Sequence, residues 1–491
     1  MIVSELVTSR GLITAQRARR ILTLARELVD HPRIDVLSIT DNPGGHAMLS
    51  ADTLGTDLIG RGQEVIIHLA CKDWNRNALE SRGWKLSSEG FDNVLALSGD
   101  YPVSGYAGVA APVFDVDSVG LLRMYSDMNE GIGDPSLGRT KFFLGAVVTN
   151  HKRHEREVIP QYLKARKKIE NGARFLITQI GYHARKDDEL LRWLELHGLT
   201  VPVLANVYVL TPATARVFNS DRIPGAVVTD ELLALAEKHG ASPDKGRAFF
   251  LELASKQVAI ARGLGYRGAY LGGHMAVDEY TRVLETADSY GPDDWRELAR
   301  EIQFPYPDEF HYFERDPDTG LSSTEISREY LESKGHAPLR YRFSRRLHAV
   351  AFEPEAPLHG AGRAFYGAVE RGPKPIGKML HLVEQAAKVP MFGCRDCGDC
   401  SLPEIAYLCP ESQCVKNQRN GPCGGTRQGL CEIGEKECIW ALAYERLKAY
   451  GEAESMLDGP VVIKDNALRH TSAWANTFLA RDHHARKPTS E

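Results

Sequence analysis

Eight of the nine cysteines fall within one short stretch: Cys394, Cys397, Cys400, Cys409, Cys414, Cys423, Cys431 and Cys438. The first three stand at two-residue intervals, and Cys409 is followed at once by Pro410. Thiolates ligate soft and borderline metals, and four of them complete either one tetrahedral zinc or one cubane iron–sulfur cluster. Eight therefore allow two four-cysteine sites. Three cysteines at two-residue spacing before a Cys-Pro follow the ferredoxin-type pattern, although that pattern has three residues before its Cys-Pro and this chain has eight. Structural zinc stays the alternative. Gly398, Gly421, Gly424 and Gly425 suit tight turns around a metal. The chain shows no secretory signal, so a cytoplasmic location is expected, where clustered thiols bind metal rather than oxidise to disulfides. Cys71 stands alone and reads as a small buried hydrophobe.

A second set of polar residues closes short apolar runs. Glu5 ends IVSE, Thr40 and Asn42 follow DVLSI, His68 sits in EVIIHL, Asp100 follows NVLALSG, and Gln179 follows FLIT. A carboxylate at the end of an apolar strand is costly unless paired or used. Singly, each of these residues reads as a cap on the next helix; six on one rim read as a site. The basic stretch His151–Arg156 and the lysines from Lys164 to Lys168 read first as a solvated helix face.

The elements that must carry these residues alternate. Strands are expected at Ile2–Glu5, Asp35–Thr40, Glu64–Leu69, Asn93–Leu97, Phe142–Val148, Phe175–Ile180, Val201–Val207 and Gly268–Leu271, each short, apolar and rich in Val, Ile or Leu, as parallel strands buried on both faces are. Helical spacing marks Ala15–Leu28, Glu157–Asn171, Asp187–His197 and Arg247–Gly263. Eight strands alternating with helices over 1–290 predict an α/β fold, a closed (β/α)₈ TIM barrel; an open doubly wound sheet is the competitor. Proline and turn pairs after Tyr290 predict a connecting region with short helices packed on the barrel, 291–375. A smaller cysteine-rich, metal-binding domain follows at 376–455, and 456–491 reads as a C-terminal tail, polar and mobile around His483–Glu491.

Composition narrows the classes. The 491 residues carry a net charge of -5, and 25% are charged. This balance excludes a nucleic-acid partner, which needs clustered Lys and Arg, and no run of about 18 apolar residues exists to span a membrane. Assembly into a homo-oligomer is compatible with it.

The runs IVSEL, DVLSITDNPGG, EVIIHLACKDWNR, NVLALSGDYP and KARKKIENGARFLITQIGY, in this order, resemble the landmarks of the methylenetetrahydrofolate reductases. The stretch CGDCSLPEIAYLCPESQCVKNQRNGPCGG, followed by GLCEIGEKECIWALAYERLK, resembles that family's C-terminal cysteine-rich domain. The resemblance implies a flavoprotein of one-carbon metabolism, on the route to methionine, that binds FAD and interconverts 5,10-methylenetetrahydrofolate and 5-methyltetrahydrofolate. It implies Glu5 as the general acid that opens the folate ring before hydride arrives, with a pKa raised by desolvation. Asp100 would lie between flavin and folate, and Gln179 would contact folate. Thr40, His68, Ser98 and Gly99 would contact the flavin, and Lys164 and Lys168 would stand near the FAD phosphates. Electrons would come from NAD(P)H or from a redox protein partner, through two [4Fe–4S] clusters on the eight cysteines, with zinc as the alternative.

The chain departs from the family pattern in three places: Leu6-Val7 lacks the two prolines that usually follow the acid, Phe114 replaces a Tyr, and Thr149-Asn150-His151 replaces a Tyr-Pro-Glu loop. No strand-turn-helix GxGxxG motif stands in the chain, which argues against a Rossmann NAD domain. Two rivals differ in class. One is a folate-binding methyltransferase or demethylase barrel without hydride chemistry. The other is a degenerate barrel whose cysteine domain serves only for docking or electron transfer.

Overall fold

The computed structural model describes residues 1–220 and 222–485. Eight parallel strands close into a barrel in chain order: β1 (Ile2–Leu6), β2 (Val36–Ile39), β3 (Val65–Ala70), β4 (Asn93–Leu97), β5 (Phe143–Val148), β6 (Phe175–Thr178), β7 (Val203–Tyr208) and β8 (Gly268–Gly272). Closure rests on β1 pairing with β8 as well as β2, through Ile2–Ala269, Val3–Tyr270 and Ser4–Leu271. That pairing rules out the open sheet. The interior is filled by Val3, Ile66, Leu95, Phe175, Ile177, Leu204 and Tyr270. Large and small residues alternate there to fit the taper: a Cβ at Gly145 would lie 2.1 Å from the Phe175 ring.

Ten helices surround the barrel: α1 (Gln16–Val29), α2 (Ala51–Ile59), α3 (Arg76–Ser88), α4 (Ser118–Glu130), α5 (Glu155–Glu170), α6 (Ala184–Leu196), α7 (Pro212–Asn219), α8 (Asp230–Gly240), α9 (Arg247–Leu264) and α10 (Val277–Ser289). The connecting region starts with α11 (Trp295–Glu301), the hairpin β9–β10 (Phe313–Arg315, Ser322–Ile326) and α12 (Arg328–Glu332). Polar groups pin it to α6. Tyr312 N donates to Glu189 at 2.7 Å, Ser322 N to Asp188 at 2.9 Å, and His183 lies 2.6 Å from Glu309.

Two expectations are corrected here. The connecting region does not end in short helices. It runs into α13 (Leu339–Ala351), α14 (His359–Arg371) and α15 (Lys374–Phe392), the last of which leads directly to Cys394. Pro373 and Pro375 stand at its start, where a missing N–H costs no hydrogen bond, so these prolines begin a helix rather than end one. Nor is the polar end, expected to be mobile, loose where it begins at His483, and the tail before it is packed. Ala473–Phe478 is helical, and Phe478 is stacked on Phe352 and Tyr366. His483 is buried 2.6 Å from Asp399. Only 486–491 of the expected tail lie outside the described residues.

Candidate active site and cysteine centres

In a barrel of this kind, chemistry gathers where the strands end. One cavity of about 250 Å³ at those ends is lined by Glu5, Thr40, His68, Ser98, Gly99, Asp100, Lys164, Lys168 and Gln179. Sequence reasoning named all nine. Asn42 is diverted: its side chain donates to Asp73 and accepts from Met48 N, which shapes the turn after β2.

Glu5 is held by neighbours from three strands. The Tyr270 hydroxyl, on β8, donates to its carboxylate at 3.0 Å. That hydroxyl also lies 3.3 Å from Ser38 Oγ on β2 and 3.3 Å from His68 Nε2 on β3, and Ser38 and His68 are 2.8 Å apart. Desolvation raises the Glu5 pKa despite the Tyr270 hydrogen bond, which opposes it. The same burial drives His68 down to about 3, so the imidazole is neutral at ordinary pH. A protonated carboxylic acid beside a tyrosine and a neutral histidine can give up a proton without creating a buried cation. Across the cavity Asp100 accepts from Gly44 N at 2.8 Å. Gln179 accepts from Ile180 N at 2.9 Å, which leaves its amide N–H groups as the donors it can offer.

The sequence did not reveal the roof. The loop from Lys416 to Gly425 and Glu432 come from the cysteine domain, yet Lys416, Pro422, Cys423, Gly424, Gly425 and Glu432 line the barrel cavity. Lys416 donates to Gly99 O at 2.9 Å and is ion-paired with Glu432, both side chains buried. Gln418 accepts from Ser98 Oγ at 3.0 Å and from Lys164 Nζ at 3.1 Å. Asp117 caps α4 and also accepts from Arg419 N and Asn420 N, at 3.2 and 2.8 Å. The signal available in advance was the Gly-Pro-Cys-Gly-Gly run. Gly424 has no room for a side chain, because a Cβ would sit 2.7 Å from Thr149 Oγ1.

This roof settles where the lysines point. Lys164 Nζ donates to Gln418 and, at 3.2 Å, to Gly421 O; Lys168 Nζ donates to Val147 O at 2.6 Å. Burial lowers both pKa values, that of Lys168 to about 7. An ammonium has three N–H donors, so Lys168 keeps two and Lys164 one for an anion in the cavity that both line. The cavity is also at the lower end of ligand-site volumes. The residues present fit a flat ring system, with part of the donor capacity of Lys164 and Lys168 spent on Gln418, Gly421 and Val147. A groove of about 1100 Å³, lined by Arg19, Arg20, Gln16 and Tyr208, meets the cavity at Glu5.

The eight cysteines divide by position in the chain. Cys394, Cys397, Cys400 and Cys409 line one small cavity, and Cys414, Cys423, Cys431 and Cys438 line another, about 20 Å³ each. All are free thiols. A single zinc at Zn–S of about 2.3 Å would draw its four sulfurs close together. Among the described residues no three cysteine Sγ atoms lie within 4.8 Å of one another. Backbone N–H groups point at several sulfurs, as with Asp396 N to Cys394 Sγ and Gln418 N to Cys414 Sγ, both 3.4 Å. Such hydrogen bonds stabilise thiolate ligands.

Two family models match this chain: "Methylenetetrahydrofolate reductase" over residues 15–260 and "Methylene-tetrahydrofolate reductase C terminal" over 375–466. No curated protein matches. Among solved structures, an uncharacterized protein from Clostridium thermocellum that binds two copies of 5-methyl-5,6,7,8-tetrahydrofolic acid aligns at a TM-score of 0.44 and 14% identity, over 58% of this chain and 93% of that one. A putative deoxyribose-phosphate aldolase from Toxoplasma gondii ME49 aligns at a TM-score of 0.31 and 11% identity, over 59% and 92%.

Proposed function

The chain belongs to the methylenetetrahydrofolate reductase family, and from that premise we propose that it interconverts 5,10-methylenetetrahydrofolate and 5-methyltetrahydrofolate, with Glu5 as the acid and the cysteine domain as the electron relay. The observation that carries this reading is the shared cavity: a buried, tyrosine-bonded Glu5 opens onto the same space as Asp100, Gln179 and Cys423. Glu5 gives its proton to N10 of the folate as the bond from N10 to the bridging carbon breaks, leaving an iminium at N5. Hydride then reaches the bridging carbon, so one proton and one hydride are consumed per methyl group formed. Asp100 accepts from the amino-pyrimidine edge of the pterin, and Gln179 donates to its carbonyl. The groove that meets the cavity at Glu5 takes the benzoyl-glutamate tail, whose carboxylates face Arg19 and Arg20.

A flavin ring, as the hydride source, would be held by Thr40, His68, Ser98 and Gly99. The FAD phosphates would meet the remaining N–H donors of Lys164 and Lys168. Cys414, Cys423, Cys431 and Cys438 would hold a cluster against this cavity, with Cys394, Cys397, Cys400 and Cys409 holding a second one farther out. The place of Cys423 in both the inner centre and the barrel cavity supports iron–sulfur over zinc, because only a redox-active group there could pass electrons to the folate site.

Glu5→Gln keeps the shape and removes the acid. It should lower folate reduction by about 10²–10⁴-fold while leaving methyltetrahydrofolate binding within a few-fold of wild type. Because the Glu5 pKa is raised in the fold, wild-type activity should be full at low pH and fall as pH rises through that value. The limb should vanish in the variant. Full turnover by Glu5→Gln ends the acid role.

A further inference from the structure

Of the 24 large apolar side chains exposed among the described residues, 12 lie between Leu331 and Val389. They follow helical spacing. Leu339, Phe343 and Leu347 form a row on α13, and Met379, Leu382 and Val383 form another on α15; Leu339 is 81% exposed and Leu382 70%. Four of the 12 lie on α13, one on α14 and five on α15. The surface is also basic. Residues 334–392 hold ten Lys and Arg against four Glu, in a chain whose net charge is -5. Glu384 and Lys388 form a buried ion pair and Arg345 pairs with Glu452, which leaves eight Lys and Arg against three Glu.

The location gives this face a use. The inner side of α15 walls the first cysteine cavity through Gln385, Lys388 and Phe392, and Lys388 Nζ lies 3.5 Å from Cys400 Sγ. A molecule on the outer side is separated from those cysteines by about one helix diameter, roughly 10–12 Å. The first set does not line the barrel cavity, whereas Cys423 of the second set does. On the relay reading, electrons bound for the folate enter at the first set from outside the chain. We propose that the outer face of α13–α15 is the docking surface of a small acidic electron-carrier protein, which delivers electrons to the centre formed by Cys394, Cys397, Cys400 and Cys409. This rests on the reading of the cysteines as iron–sulfur ligands. In each encounter the carrier's centre is oxidised by one electron and the first cluster reduced by one. Two encounters supply one folate, and its protons come from water. A second copy of this chain would set one excess of cations against another, whereas an acidic carrier neutralises it.

The test uses the full chain, isolated without oxygen, with an acidic plant-type [2Fe–2S] ferredoxin reduced beforehand as the probe. Stopped-flow absorbance should show cluster reduction whose second-order rate falls at least tenfold from low to high salt, as electrostatically steered association does. Lys374→Glu with Lys378→Glu, and separately Leu382→Asp, should each slow it at least tenfold. Iron content and reduction by dithionite should not change. A rate indifferent to salt and to both variants overturns the proposal. So does a dimer in sedimentation that Leu382→Asp dissociates, or binding to phosphatidylserine vesicles that Leu382→Asp abolishes. Wild-type protein without iron sinks the cluster reading, and this inference with it, before any carrier is added.

Discussion

Cys394, Cys397, Cys400 and Cys409 enclose their cavity beside a buried lysine, Lys388, and Cys414, Cys423, Cys431 and Cys438 enclose theirs beside another, Lys416. Each lysine is ion-paired to a buried glutamate, Glu384 in the first case and Glu432 in the second. The two centres differ in what the pair touches next. Glu384 accepts from Ser472 Oγ at 2.6 Å, so the first pair closes on its own domain. Lys416 donates to Gly99 O, so the second pair reaches into the barrel at the turn that carries Asp100. On the proposed reading, one arrangement would serve two ends of a relay, an outer centre beside α15 and an inner one that completes the barrel cavity.

The largest expected contrast follows from that difference. Cys423→Ser breaks the inner centre and also alters the cavity wall. It should remove about half of the iron and lower folate reduction by more than about 100-fold with any reductant, since even outer-shell partners of a metal cost 10–100-fold. Cys397→Ser should remove a similar share of iron yet keep most turnover when a small reductant such as reduced viologen is supplied. Iron analysis alongside viologen-driven turnover tests this. Equal loss of turnover in both variants would erase the distinction between inner and outer centres.

A smaller effect separates the two lysines. Removing one partner of a buried ion pair leaves the other charge uncompensated and costs about 3–5 kcal/mol. Lys388→Met and Lys416→Met should therefore both lower the thermal midpoint. Only Lys416→Met should also raise the KM for methylenetetrahydrofolate, because Gly99 O loses its donor and the Asp100 turn is freed. A KM shift of the same size in Lys388→Met would mean that the inner pair has no special hold on the barrel.

The same contrast explains what was legible in the sequence. Strand periodicity puts Glu5, His68, Asp100 and Gln179 at strand ends, and closure of the barrel carries those ends to one rim, so local pattern was enough to find them. Ser38 and Tyr270 were not found. Each lies inside an apolar run, and only the register between β1, β2, β3 and β8 brings their hydroxyls to Glu5 and His68. Lys416 and Glu432 were missed for a longer-range reason: the contact from Lys416 to Gly99 spans 317 residues, and no spacing rule encodes a roof laid over a barrel from another domain. The lysines of α5 show the converse. Lys164 and Lys168 line the cavity as their positions suggest, but no local pattern shows that Gln418, Gly421 and Val147 take up part of their donor capacity.

The smallest effect probes how tightly the roof is seated. Gly424 lies between the barrel rim and the inner centre, where its carbonyl accepts from Lys152 Nζ at 2.8 Å and its missing side chain leaves space for Thr149. A methyl group there would meet Thr149 Oγ1 at 2.7 Å, too close for van der Waals contact, and Thr149 is buried, with little room to turn away. Overpacking of this kind costs about 1–3 kcal/mol. Gly424→Ala should lower the thermal midpoint by a few degrees and weaken folate binding a few-fold, with iron retained. Thr149→Ser made with it removes a methyl but keeps the clashing oxygen, so it should rescue little. Thr149→Ala removes that oxygen and should restore most of the loss. Rescue by both would show that the roof is held off by the threonine's bulk in general, and that the contact at Oγ1 does not set its height.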